Sequence, residues 1–336
     1  MSCRETHSTP DFIGIGAQKA GTTWLHRNLQ AHPEIWMPTE KELHYFDEKI
    51  KAEGGLLSRL LGKRPVDRRW RRQLGSRLRR SPNWSSWRDA VWDLRYFFGR
   101  PGDDWYAALF EQGRGKVTGE ATPDYAILER DEIAHVHELM PDAKLIFMMR
   151  NPIERPWSAM DMRLRLRGQA VYEVKDRKFY RRFDNRGSRL RTDYLETLEN
   201  WGTFYPEGQI FVGFLEDVRF FPRELLRSLY SFLGVDLSVE HGDATRRVHP
   251  GQQDAIPTRF AVHLAHAYHE QIKALDERFG GYASFWLHCA ERLISDPPSE
   301  AHLPYPLWES KIWDEWEGSR GLAMQSGLLS FVRAAS

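Results

Sequence analysis

Apolar positions in this chain gather into short runs separated by stretches of helical periodicity. "DFIGIG" (Asp11–Gly16) is an apolar run ending in glycine, the pattern of a strand buried on both faces of a parallel sheet. "TTWLHRNLQAHP" follows with helix-like spacing and closes at Pro33. "KVTGEAT" (Lys116–Thr122) predicts a second strand, "RDEIAHVHELMP" a helix, and "AKLIFMMR" (Ala143–Arg150) the clearest strand of all. In "NPIERPWSAMDMRLRLR", Pro156 predicts either a helix beginning there or an irregular first turn. A fourth strand is expected at "QIFVGFLEDV" (Gln209–Val218), and "PRELLRSLYSFLG" reads as an amphipathic helix stopped by Gly234. Strands alternating with helices predict an α/β fold, a central parallel sheet flanked by helices.

Two segments interrupt that order. Residues 49–100 read as irregular and contain "SRLLGKRPVDRRWRRQLGSRLRR", with ten Lys or Arg between Arg59 and Arg80 against one acid, Asp67. Arg163 to Arg191 is again more basic than acidic, and the tail from Pro297 yields no assignment. The expectation is a single domain over residues 1–336, with a core at about 11–290, an insertion at 49–100 and a C-terminal extension at 297–336.

Composition adds limits. At 336 residues the chain has room for one large α/β domain or two small ones, and 41% hydrophobic with 28% charged residues is ordinary for a soluble protein. A net charge of +1 gives no global field that favours nucleic acid, and no nucleic-acid-binding module is recognised. Cys3 and Cys289 form neither a disulfide framework nor a C-x-x-C metal spacing, which suits a reducing compartment. The start "MSCRETHSTPDF" has no apolar signal core, and no run reaches the length of a membrane span. A cytoplasmic protein is the expectation. The 13 Trp, 18 Phe and 12 Tyr predict a well-filled core and aromatic surfaces near a site.

The chemistry centres on "GIGAQKAGTTW" (Gly14–Trp24). Its spacing Gly16-x-x-x-x-Gly21 is that of a phosphate-binding loop, placed between strand and helix as such a loop requires. Lys19, however, lies inside the loop, where a nucleoside triphosphatase has its lysine after the second glycine. Nor does an acid end the apolar strand: "LIFMMR" finishes in Arg150, which weakens a Mg²⁺-dependent phosphoryl-transfer reading. A lysine within the loop can donate to a bridging oxygen where charge develops as a group leaves. A glycine turn that merely connects strand to helix is the plain alternative.

"GAQKAGTTWL" resembles the 5′-phosphosulfate loop of sulfotransferases that use 3′-phosphoadenosine 5′-phosphosulfate (PAPS). "MMRNPIERPWSAM" is similar to the family's 3′-phosphate element, which maps onto Arg150 and Ser158. "KELHYFD" and "GEATPDY" resemble segments of the Golgi sulfotransferases that act on heparan sulfate and related glycans. "FLEDV…ELLRSLYSFLGV", "RRVHP" and "AYHEQIKALDERFG" look like the last strand and helix, the late phosphate loop and the closing helix. These segments occur in the family's order over residues 11–287.

The resemblance implies a P-loop nucleotide-binding fold and a PAPS-dependent enzyme that leaves adenosine 3′,5′-bisphosphate and requires no metal. It implies a donor site of Gln18, Lys19, Ala20, Gly21, Thr22, Thr23 and Trp24 with Arg150, Ser158, Arg246 and Arg247. It makes Glu42 the base, with His44 as competitor, and puts Glu120, Asp124 and Tyr125 on the acceptor side. Lys41 and Glu42 read without it are a solvated pair, Arg150 a strand-end cap and "TPDY" a turn. One departure stands out: the Golgi enzymes have Lys-Gly-Arg before "HP", where this chain has Thr245-Arg246-Arg247. The acceptor expected is a carbohydrate, glycolipid or small metabolite offering a hydroxyl or an amine. The 59–80 arginines, interleaved with Trp70 and followed by Trp84, Trp87, Trp92, Tyr96, Phe97 and Phe98, are expected to form a lid or wall over it. The same stretch could rest on acidic lipid headgroups. A nucleotide kinase or phosphohydrolase, and a non-catalytic binder of anionic ligands, are the rival readings.

Overall fold

The computed structural model describes residues 9–47, 56–79, 87–239 and 255–320. The chain opens with β1 (Phe12–Gly16), whose five residues are all buried, and α1 (Thr22–Ala31), followed by a short strand β2 (Ile35–Trp36). Three helices come next, α2 (Leu56–Leu61), α3 (Pro65–Arg79) and α4 (Trp87–Phe98), then α5 (Asp103–Ala108). The alternation resumes with β3 (Val117–Ala121), α6 (Arg130–Leu139), β4 (Lys144–Met149) and α7 (Glu154–Leu166). The chain then forms α8 (Asp176–Phe183), α9 (Arg186–Leu190), α10 (Tyr194–Gly202), β5 (Ile210–Phe214), α11 (Leu215–Phe220) and α12 (Pro222–Leu233). It finishes with β6 (Ala255–Pro257), α13 (Thr258–Phe279), α14 (Tyr282–Ser295), β7 (His302–Pro304) and α15 (Lys311–Arg320).

The main sheet has strand order β2-β3-β1-β4-β5, and every pairing in it is parallel. Its apolar central strands are covered by helices, which is why they read as unbroken hydrophobic runs rather than alternating ones. The strand following β1 lies to one side and β4 to the other. The loops leaving β1 and β4 therefore diverge above a crevice, the position at which such sheets take ligands. Gly119 in β3 makes room for its partner on the neighbouring strand β1: a Cβ there would run into the Phe12 ring. β6 and β7 form a separate antiparallel pair, with Ile256 opposite Leu303.

Three expectations need correction. The fourth strand ends at Phe214 rather than Val218, because Glu216 and Asp217 begin α11, and acids favour a helix N-terminus. Pro156 does not start its helix; α7 begins at Glu154 and the proline sits in the first turn, where its missing N–H has no intrahelical partner to lose. The described part of 49–100 is helical, not irregular. There Trp70, Trp92, Tyr96 and Phe97 are buried, while Trp87 and Phe98 are exposed and Trp84 lies outside the described residues. Indole N–H groups of Trp70 and Trp92 donate to the carbonyls of Phe97 and Leu109 at 3.0 and 2.9 Å. Most of the aromatics thus anchor the helices, leaving the arginines outside. The tail also acquires structure, since Trp313 stacks on Phe220 and Trp316 packs on Phe285. Among the described residues no helix is long and apolar enough to cross a membrane.

Candidate functional site

Beyond Gly16 the loop leaves the sheet, its first amide reaching sideways: Ala17 N donates to Met148 O of β4 at 2.6 Å. Lys19 and Gly21 take left-handed conformations, with φ of 75° and 85°. Glycine suits Gly21 because a Cβ there would also press within 3.1 Å of Leu215 Cδ1. Gly21 caps α1, so the N–H groups of Thr22 and Thr23 lie in the first turn, where no intrahelical carbonyl can receive them. With the helix dipole, this end is built to meet an anion. Ala20 and Trp24 are in the core, and Gln18 is half-buried.

Lys19 extends toward α7, its Nζ 3.5 Å from Met162 Sδ. Its pKa falls to about 8, first through burial and then through Arg150 and Arg165, with Asp161 working the other way and Lys41 adding to the fall. Arg150 arrives from the end of β4 and ties the two loops together, Nη1 donating to Lys19 O at 3.1 Å. Its Nε and Nη2 hold Glu154 Oε2 at 3.1 and 2.8 Å. Burial disfavours the guanidinium charge, but Tyr305 and Glu154 outweigh it and raise the pKa. Ser158, on the second turn of α7, is buried beside this group and hydrogen-bonds Tyr305.

The segment after Met37 brings a third set of charges to the same end of the sheet. Lys41 donates to Glu42 Oε1 at 2.6 Å and to Thr22 Oγ1 at 3.4 Å, which links Glu42 to the loop helix. Glu42 Oε2 lies 3.6 Å from His44 Nε2, and His44 Nδ1 lies 2.6 Å from Asp47 Oδ2. Burial pulls the His44 pKa down, but hydrogen bonds to Asp47 and Glu42 carry it up to about 9. Burial pushes Glu42 up; His44 and Lys41 reverse this and hold it at about 2. At neutral pH the pair is a carboxylate beside an imidazolium. Among the described residues, Lys19, Glu42 and His44 are the non-glycine positions with positive φ. Each such conformation costs about 1–2 kcal/mol, and strain of this kind gathers where function requires it.

What keeps Glu42 and His44 in that geometry lies underneath them. Tyr45 stacks on Tyr106 with ring centroids 4.8 Å apart, and Phe46 packs edge-on against Tyr106 and Tyr125. Tyr45 N donates to Tyr125 OH at 2.9 Å. Glu120 is fully enclosed and accepts from Tyr106, Thr122 and Tyr125 at 2.6, 2.7 and 3.1 Å. Burial drives its pKa up against those three donors. Glu120 and Tyr125 therefore support the Glu42–His44 segment from below. Asp124 is half-buried, paired with Arg191 at 2.7 Å, and offers an oxygen within 4.8 Å of His44 and Asp47. Within this trio His44 and Asp47 form an ion pair, and Asp124 pairs outward with Arg191.

The fold thus assembles Lys19, Thr22, Arg150, Ser158, Glu42 and His44 at one end of the sheet, with Asp124 at the edge. Arg246 and Arg247 lie outside the described residues. Sequence reasoning passed over Asp47, Glu154 and Tyr305. Asp47 was legible as i+3 from His44; Tyr305 carried no local signal.

A family model described as "Sulfotransferase family" matches residues 10–239. Membrane-associated sulfotransferase kil1 of Dictyostelium discoideum is 29% identical over 153 residues, 44% of this chain. The human bifunctional heparan sulfate N-deacetylase/N-sulfotransferase 2 is 25% identical over 243 residues, 67% of this chain. The match spans 22% of the length of each of these two relatives. The crystal structure of a sulfotransferase from Alicyclobacillus acidocaldarius superposes with a TM-score of 0.57 at 22% identity, covering 83% of this chain and 99% of that one, which shows a shared fold.

Proposed function

The chain belongs to the sulfotransferase family, and we propose from that premise that it transfers a sulfuryl group from PAPS to an acceptor hydroxyl or amine. PAPS supplies a sulfur activated as a mixed anhydride with phosphate. Lys19 and the N–H groups of Thr22 and Thr23 hold its 5′ end, and Arg150 with Ser158 takes the 3′-phosphate. The observation that carries this reading is the joining of the two loops through Arg150 Nη1 and Lys19 O, which sets both cations above one crevice. A planar guanidinium suits a phosphate there, and Lys19 suits the bridging oxygen on which charge collects as sulfur departs.

Glu42 is the proposed base. It is ionised and partly exposed, whereas His44 already carries its proton at neutral pH and cannot accept another. His44 instead orients Glu42 and is itself held by Asp47, while the proton taken from the acceptor rests on Glu42 until it passes to solvent. Charge compensation that a divalent ion would provide falls to Lys19 and Arg150. The acceptor is proposed to be a glycan or glycolipid, bounded by Asp124 on one side and by α3 on the other. Gln73 of α3 donates to Glu40 at 2.8 Å, so the arginine-rich helix leans on the base segment, an arrangement suited to an anionic sugar chain or an acidic lipid surface. The compartment proposed is the cytoplasm.

The test is transfer of labelled sulfate from PAPS to a panel of heparan precursors, glycolipids and small phenols, with and without EDTA. Metal-independent labelling of a glycan supports the reading. Binding of adenosine 3′,5′-bisphosphate without turnover on any acceptor would leave a binder. Absence of nucleotide binding would remove the donor assignment altogether.

A further inference from the structure

The segment that follows β7 enters the donor site from the far end of the chain. Tyr305 is 7% exposed, and its hydroxyl accepts a hydrogen bond from Arg150 Nη2 while bonding Ser158 as well. Those are the two side chains assigned above to the 3′-phosphate. The segment is fixed there by Glu154, a wholly buried carboxylate on α7. Its Oε1 accepts from Leu307 N at 2.7 Å, and its Oε2 accepts from Arg150. One carboxylate therefore positions both the guanidinium and the backbone two residues past the phenol. Behind it, Leu303 pairs with Ile256 and Leu307 is fully buried, so the phenol stands on a rigid base.

We propose that Tyr305 is a third ligand of the donor's 3′-phosphate, acting with Arg150 and Ser158 to make the site selective for a nucleotide bearing that phosphate. This inference rests on the donor reading given above. The chemistry is a count of donors. A 3′-phosphate dianion presents three terminal oxygens. Arg150, with Nε and Nη2 engaged by Glu154 and Tyr305 and one Nη1 proton by Lys19 O, brings its charge and one remaining N–H; Ser158 brings one hydroxyl and Tyr305 a second, whose proton can turn toward an incoming oxygen. A phenol donates more strongly than an aliphatic hydroxyl, and hydrogen bonds to a charged group are the strong class. An adenosine lacking the 3′-phosphate gives Tyr305 nothing to donate to.

The experiment is calorimetric titration of adenosine 3′,5′-bisphosphate and of adenosine 5′-monophosphate into the wild-type protein and Tyr305→Phe. Removing one hydrogen bond to a charged group corresponds to a loss of at least about tenfold in affinity for the bisphosphate. The monophosphate should change by less than about twofold, which also reports that the variant is folded with an intact site. Phosphorus NMR of the bound bisphosphate should show the 3′ resonance shifted by the substitution and the 5′ resonance unmoved. Equal weakening of both nucleotides would reduce Tyr305 to a structural role, and tighter bisphosphate binding in Tyr305→Phe would make it a competitor for the site. Either result overturns the proposal. A wild-type protein that binds both nucleotides equally would instead refute the 3′-phosphate reading of Arg150 and Ser158, and this proposal with it.

Discussion

Lys19 has a pKa near 8 in the free protein because it is buried beside Arg150 and Arg165, with Lys41 also opposing its charge and only Asp161 supporting it. A bound anion would restore the charge, so nucleotide binding must be coupled to proton uptake once the pH passes 8. At pH 7 about nine tenths of the lysines are already charged; at pH 9 about one tenth are. If the charged form alone binds, affinity for adenosine 3′,5′-bisphosphate falls about tenfold between those values, close to 1.4 kcal/mol. The window starts above the second ionisation of the phosphates, near 6, so the ligand's charge stays constant. Titration calorimetry at pH 7, 8 and 9, repeated in buffers of different ionisation enthalpy, measures both affinity and proton uptake. Uptake should approach one proton at pH 9. His44 loses its proton near the same pH, but it faces Glu42 and Asp47, so His44→Asn should keep the slope. Lys19→Arg should abolish it, since arginine stays charged throughout. A wild-type affinity that is flat from pH 7 to 9.5 with no proton uptake would refute the argument.

Glu42→Gln should lower kcat by about 10²–10⁴-fold while leaving bisphosphate affinity within about twofold, as expected when a base but no donor contact is lost; parallel losses in both would move Glu42 out of the catalytic role. Reversing the exposed Arg68 and Arg72 of α3 to Glu should raise KM for an anionic glycan by about tenfold or more, with nucleotide Kd unchanged, and an unaltered KM would detach the helix from the acceptor. Gly119→Ala should cost roughly 1–3 kcal/mol in urea unfolding, because the new methyl meets the Phe12 ring on the neighbouring strand; a neutral substitution would mean that the Phe12 ring can move aside freely. The two kinetic readouts separate the donor half of the site from the acceptor half.

Local patterns carried much of the proposed donor site. The glycine loop, Lys19 within it and Arg150 at the end of an apolar strand can be read in order, because backbone conformation and strand burial are dictated within a few residues. "KELHYFD" was legible as a motif, yet nothing in its letters indicated that Glu42 and His44 stand in left-handed conformations. That strain is imposed by Tyr45 and Phe46 locking into Tyr106 and Tyr125, contacts made across 60 to 80 positions of chain. The arginines of α3 concealed a helix, and two of the tryptophans that looked like surface for a ligand, Trp70 of α3 and Trp92 of α4, are buried beneath these helices.

Short-range chemistry by itself determined the parallel α/β plan, the glycine turn with its displaced lysine, and the family to which the chain belongs. Only tertiary structure decided which charges meet. It set His44 between two carboxylates, turned Glu120 from a site candidate into a buried support, and brought Tyr305 to Arg150 from 155 residues away. The reason is physical: a pKa or a hydrogen bond depends on distance through space, and a polar residue's distant partners leave no periodic trace along the chain.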